Sequence, residues 1–164
     1  MRYGTRTHSR RRWTRQAKRP VCRVKLGYEW GYLYLALCPF TGDLFPMLLP
    51  KLDKECFSIF LDQFSVHLKE KDNTSILLVG DGAAAHTAQC WQNIEGIKWC
   101  KLPTACPELN PVERFFEELR KDTADIVFES LNHIEIIIEK LLRKYILKPG
   151  DVINLTLFSY LKST

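Results

Sequence analysis

The chain has 164 residues, 46% hydrophobic, 26% charged and 12% aromatic, which suits one domain with its own core and excludes a disordered or collagen-like polymer. No stretch approaches the ~18 uninterrupted apolar residues of a membrane span, and the first 25 residues hold no apolar core of a secretory signal. The six cysteines (Cys22, Cys38, Cys56, Cys90, Cys100 and Cys106) contain no C-x-x-C pair and read as reduced thiols, so the expected location is cytoplasmic.

The net charge of +5 is unevenly spread. Ten of the 24 basic residues fall in residues 1–25: Arg2, Arg6, Arg10, Arg11, Arg12, Arg15, Lys18, Arg19, Arg23 and Lys25. Glu29 is the first acidic residue, and the remainder carries 14 basic against 19 acidic residues. A polarised chain of this kind suggests a polyanionic partner for its first segment. Tyr3 and Trp13 lie among the arginines, where they could stack on sugars or bases. A solvated basic arm is the plainer alternative, and nucleic acid is the better reading.

After an extended stretch at 21–27, Trp30–Leu37 and Leu44–Leu49 read as strands joined by the turn PFTGD. Residues 53–69 predict an amphipathic helix, with Phe57, Phe60, Leu61, Phe64 and Leu68 at spacings of three and four. Ser75–Gly80 is a short apolar run ending at Asp81, as a buried strand would. An Ala-rich helix at 83–91, a strand at 97–102 and helices at 111–122 and 131–145 follow. The order is that of an α/β fold, a mixed sheet covered by helices. The expected division is a basic DNA-contacting arm at 1–25, a core at 26–148 and a C-terminal tail at 149–164.

Two carboxylates stand out. Asp81 directly follows an apolar strand, where open α/β sheets bind their ligands, and Gly82 lets the backbone turn tightly. Asp81 could equally cap the next helix. Asn110 reads as an N-cap, Pro111 as the first helical residue and Glu113 as N3, so Glu113 could simply bond back to the Asn110 amide in a capping box. Side by side, the two charges would repel by ~4 kcal/mol at 4 Å in an effective dielectric of 20. A divalent cation removes that cost.

The motif VGDGAAAH around Asp81, followed by LPTACPELNPVERFF around Glu113, resembles the DDE transposases of bacterial insertion sequences in the mariner superfamily. The runs MRYGTRTHSRRRWTRQAKRP and GYEWGYLYLALCPFTGDLFPMLLP are similar to the same family's first half. The resemblance implies a ribonuclease-H-like core in which three carboxylates bind two Mg²⁺ ions, Mn²⁺ serving as a substitute. Asp81 is then the second carboxylate and Glu113 the third. Gly82 and His86 belong to the motif around Asp81, and Asn110 and Pro111 to that around Glu113. The family's first Asp lies in an Asp-Glu pair that would fall just before Met1. The resemblance therefore implies a chain whose first central strand is largely missing and which is inactive as it stands.

The implied chemistry is cleavage at transposon ends and transfer of the 3′-hydroxyl into target DNA, by a homodimer in a synaptic complex associated with the nucleoid. Arg2, Arg6, Arg10, Arg11, Arg12, Trp13, Arg15, Lys18 and Arg19 are the expected DNA contacts. The alternative is a non-catalytic remnant that binds DNA through its basic arm. A zinc site from His86, Cys90, Cys100 and Cys106 is disfavoured, because intervals of three, nine and five residues match no usual zinc pattern.

Overall fold

The structure, a computed structural model, describes residues 1–8, 13–16, 18, 21, 23–71, 75–82, 94 and 96–162. Strands β1 (Arg2–Gly4), β2 (Trp30–Leu37) and β3 (Leu44–Leu49) form an antiparallel sheet in that order, and β4 (Ile76–Gly80) pairs with β5 (Ile97–Lys101) in parallel. The helices are α1 (Lys54–Glu70), α2 (Pro111–Thr123), α3 (Leu131–Ile146) and α4 (Pro149–Thr156). The Ala-rich helix expected at 83–91 lies outside the described residues. Among the described residues no helix is long and apolar enough to cross a membrane.

The period-two pattern of β2 buries both of its faces. Leu33 packs with Phe115, Phe116 and Leu119 of α2 and with Ile134, Ile138 and Leu142 of α3. Tyr34 and Ala36 face Phe57, Phe60, Leu61 and Phe64 of α1. Asp53 caps α1, its carboxylate accepting from the Cys56 N–H at 2.9 Å. Along α1 the rings of Phe57, Phe60 and Phe64 stack with centroids 6.0–6.3 Å apart. Leu78 and Ile97 of the parallel pair pack against the same aromatic cluster, so α1 ties the two sheets together.

The hairpin turn closes through the Gly42 N–H donating to the Cys38 carbonyl at 2.8 Å. Gly42 has φ +75°, and a Cβ there would lie 2.3 Å from the Pro149 carbonyl oxygen, so the turn requires glycine for conformation and for space. Pro46 sits on the edge strand β3 opposite Leu35, in a pair that exchanges no hydrogen bonds, where its missing N–H costs nothing.

Both ladders present an open side to one cavity of about 290 Å³. Leu33 and Met1 exchange main-chain hydrogen bonds at 2.8 and 2.6 Å, which turns the main-chain groups of the odd-numbered residues of β2 toward β1. Beyond Met1, those of Leu35 and Leu37 therefore face away from β3, and Leu35 lines the cavity. Ile76 and Gly80 bond to the β5 side, so the groups of Leu77 and Val79 face away from β5. Leu77 is 64% exposed and Val79 41%, unusual for a parallel strand. Among the described residues the hydrogen-bonded ladders thus fall into two sheets, and β1, of three residues, is an edge strand of the first.

The ends of the chain take part in the fold. Within residues 1–25, Tyr3 and Thr5 are buried, the Thr5 N–H bonds the Glu29 carbonyl, and the Thr7 N–H bonds the Lys25 carbonyl, both at 3.1 Å. The β1–β2 hairpin is thus extended as far as Thr7 and Lys25, and the Lys25 ammonium anchors the base of this extension on the Phe128 and Glu129 carbonyls at 2.9 and 2.7 Å. Residues 149–164, expected as a tail, include α4, whose Val152 is fully buried beside Phe115 and Tyr145.

Candidate active site

Parallel β4 ends at Gly80, and Asp81 follows at its carboxyl end. Glu113 is the third residue of α2. The Asn110 side chain caps that helix by accepting from the Val112 N–H at 3.2 Å, with Pro111 at the first helical position. The Asn110 N–H itself donates to the Pro107 carbonyl at 3.0 Å, closing the single 3-10 turn Pro107–Leu109. The capping-box bond from Asn110 N–H to Glu113 is thereby replaced, and the carboxylate is left to the cavity. The Tyr160 hydroxyl donates to the Glu108 and Leu109 carbonyls at 3.4 and 3.2 Å, bracing this turn from the end of the chain.

Asp81, Asn110 and Glu113 line both the 290 Å³ cavity and a second one of about 230 Å³. The Met1 amino group reports the same convergence. Burial pushes it down to about 5, while the Glu113 and Asp81 carboxylates pull it toward its charged form and Arg120 opposes them. The start of β1 therefore lies within electrostatic reach of both carboxylates.

These are hard oxygen donors, and a carboxylate pair with the Asn110 amide at its side fits a hard divalent cation in kind. The fit is incomplete in number: among the described residues no three His, Cys, Asp or Glu side chains gather in a metal-binding group. Asp43 and Asp53 do not fill the gap, since Asp43 pairs with Lys71 and Asp53 caps α1. Of the disfavoured zinc set, Cys100 is exposed and Cys106 half-buried, while His86 and Cys90 lie outside the described residues.

Of the expected DNA contacts, Arg6, Trp13, Arg15 and Lys18 are exposed. Arg10, Arg11, Arg12 and Arg19 lie outside the described residues. Arg2 is exposed on β1 with its guanidinium 4.5 Å from the centre of the Trp30 ring. Sequence reasoning missed the loop 101–107, which walls the second cavity. Its signal was available, because β5 ends beside β4 and ligands gather at that edge of a parallel pair. Ala105 there holds φ +59°, a left-handed conformation costly for a residue with a Cβ.

Comparison with known proteins gives the family and the fold. A family model described as DDE superfamily endonuclease matches residues 1–135, which spans both carboxylates. The chain is 30% identical over 107 residues, 60% of its own length and 78% of the relative's, to an uncharacterized protein y4pE/y4sA of Sinorhizobium fredii (strain NBRC 101917 / NGR234). Among solved structures it resembles the crystal structure of the Mos1 strand transfer complex, with a TM-score of 0.65 at 16% identity. That match covers 94% of this chain and 50% of the other, so this chain spans about half the length of that solved relative. The likeness shows the ribonuclease-H-like fold. With the match running through Asp81 and Glu113, the chain belongs to the DDE superfamily endonucleases.

Proposed function

We propose that this chain is the catalytic core of an insertion-sequence transposase, cutting DNA at transposon ends and joining the 3′-hydroxyl to target DNA. The observation that carries the reading is that Asp81 and Glu113, from the end of a parallel strand and the first turn of a helix, line one cavity in a chain of this family. Asp81 and Glu113 would hold Mg²⁺, or Mn²⁺ in its place. When bound, the metal supplies Lewis acidity to a phosphoryl oxygen and lowers the pKa of an attacking water. Asn110 fixes the start of α2 and so aims Glu113, and the 3-10 turn keeps that carboxylate out of cap duty.

The basic segment would hold DNA by its phosphates through Arg6, Arg10, Arg11, Arg12, Arg15, Lys18 and Arg19, with Trp13 stacking. A homodimer in the cytoplasm, associated with the nucleoid when on DNA, completes the proposal. The test is Mg²⁺-dependent nicking of a plasmid by a version extended upstream through the Asp-Glu pair. Nicking that Asp81→Asn and Glu113→Gln abolish supports it; nicking that survives either change defeats it. The second reading, a non-catalytic remnant, is favoured by the shortage of a third carboxylate among the described residues. It predicts DNA binding without nicking in both versions.

A further inference from the structure

The cavity of about 230 Å³ holds a cation that the reading above does not use. Lys101 is the last residue of β5 and stands in register with Gly80, the last of β4. The two parallel strands thus end side by side, one leading into a carboxylate and the other closing on an ammonium, at the edge where such sheets bind ligands. The Lys101 side chain lies against the bare backbone of Gly82: a Cβ there would come 2.4 Å from its Cε and 3.0 Å from its Nζ. Asp81 and Glu113 line the same cavity. The ammonium therefore borders the carboxylate site.

We propose that Lys101 binds a non-bridging oxygen of the DNA phosphate that sits at Asp81 and Glu113. The inference rests on the nuclease reading of that pair and adds a phosphate ligand to it. A phosphodiester approaching two carboxylates meets repulsion, and a compact point charge at the rim offsets it for whichever oxygen lies on the β5 side. Gly82 keeps the space between Asp81 and Lys101 free of a side chain.

The experiment uses the full chain, a short labelled duplex of arbitrary sequence, and Mn²⁺ alone as a separate probe. Lys101→Met should make the fall of log K with log salt shallower by about 0.9, the share of one phosphate contact, and Lys101→Arg should restore it. Lys98→Met, three residues earlier on the same strand, should leave the slope unchanged. Without DNA, Lys101→Met should bind Mn²⁺ roughly three-fold more tightly, because a nearby positive charge is gone. An unchanged slope in Lys101→Met, or an equal loss in Lys98→Met, overturns the proposal. So does an unchanged Mn²⁺ affinity in Lys101→Met where the unaltered chain binds the ion. If the unaltered chain binds no Mn²⁺, the metal reading of the carboxylates fails, and the salt slopes still decide whether Lys101 meets a phosphate.

Discussion

The amide of Asn110 donates to the carbonyl of Pro107 at 3.0 Å, and this one bond separates the capping of α2 from the carboxylate of Glu113. A capping box would have given that amide to Glu113 and made the carboxylate structural. Asn110 instead caps with its own side chain, on the Val112 N–H.

Glu113→Gln should consequently leave stability within about 0.5 kcal/mol, as for a surface change away from any structural bond. Asn110→Ala should cost about 1 kcal/mol, as the loss of an N-cap does. Urea melts of the two variants give both figures. A larger loss for Glu113→Gln than for Asn110→Ala would return Glu113 to a capping role.

The basic segment should give DNA binding with little sequence preference. If about six of its cations neutralise phosphates, log K should fall with log salt at a slope near −5. The deletion that tests this must spare β1, because Tyr3 is buried and the Lys25 ammonium is held by two carbonyls. Removal of residues 9–24 should flatten the slope to about −2, the share left to Arg6 and Lys101, while the fold is kept. A slope still near −5 after the deletion would place the DNA contacts elsewhere.

Val152→Ala should destabilise the chain by about 2 kcal/mol, since a fully buried side chain loses apolar contact in the core. A shift in the melting midpoint measures it. No shift would mean that α4 adds nothing to the stability of the core.

The open edges of β2 and β4 make a prediction by hydrogen exchange. Amides of Leu35, Leu37, Leu77 and Val79 should exchange rapidly in the 164-residue chain, while those of Tyr34 and Ala36, paired with β3, are protected. Extension upstream by one strand should protect Leu35 and Leu37 and sharpen the melt. Protection of all four in the shorter chain would mean that the edges are already satisfied.

Most elements were legible because their signals are local. Strands β2 and β3, the turn at Gly42 and the cap at Asn110 follow from periodicity and from side chains that bond their own neighbourhood. Strand β1 was not legible: three residues carry no period, and only the ladder with Trp30–Tyr32 shows that Arg2–Gly4 is a strand. The helix α4 was hidden for a similar reason, its buried side being little more than Val152 and Thr156. In the site, Asp81 and Glu113 were found by position and motif. Lys101 was not, because its importance comes from two strand ends meeting in space, which neither strand's sequence contains.

Nicking of supercoiled plasmid by the chain extended upstream, with Asp81→Asn and Glu113→Gln beside it, tests the carboxylate pair most directly. The expected result is Mg²⁺-dependent nicking by the extended chain, lost in each variant while the melting midpoints stay in place. Undiminished nicking by Asp81→Asn or by Glu113→Gln would contradict the assignment of that carboxylate to the reaction.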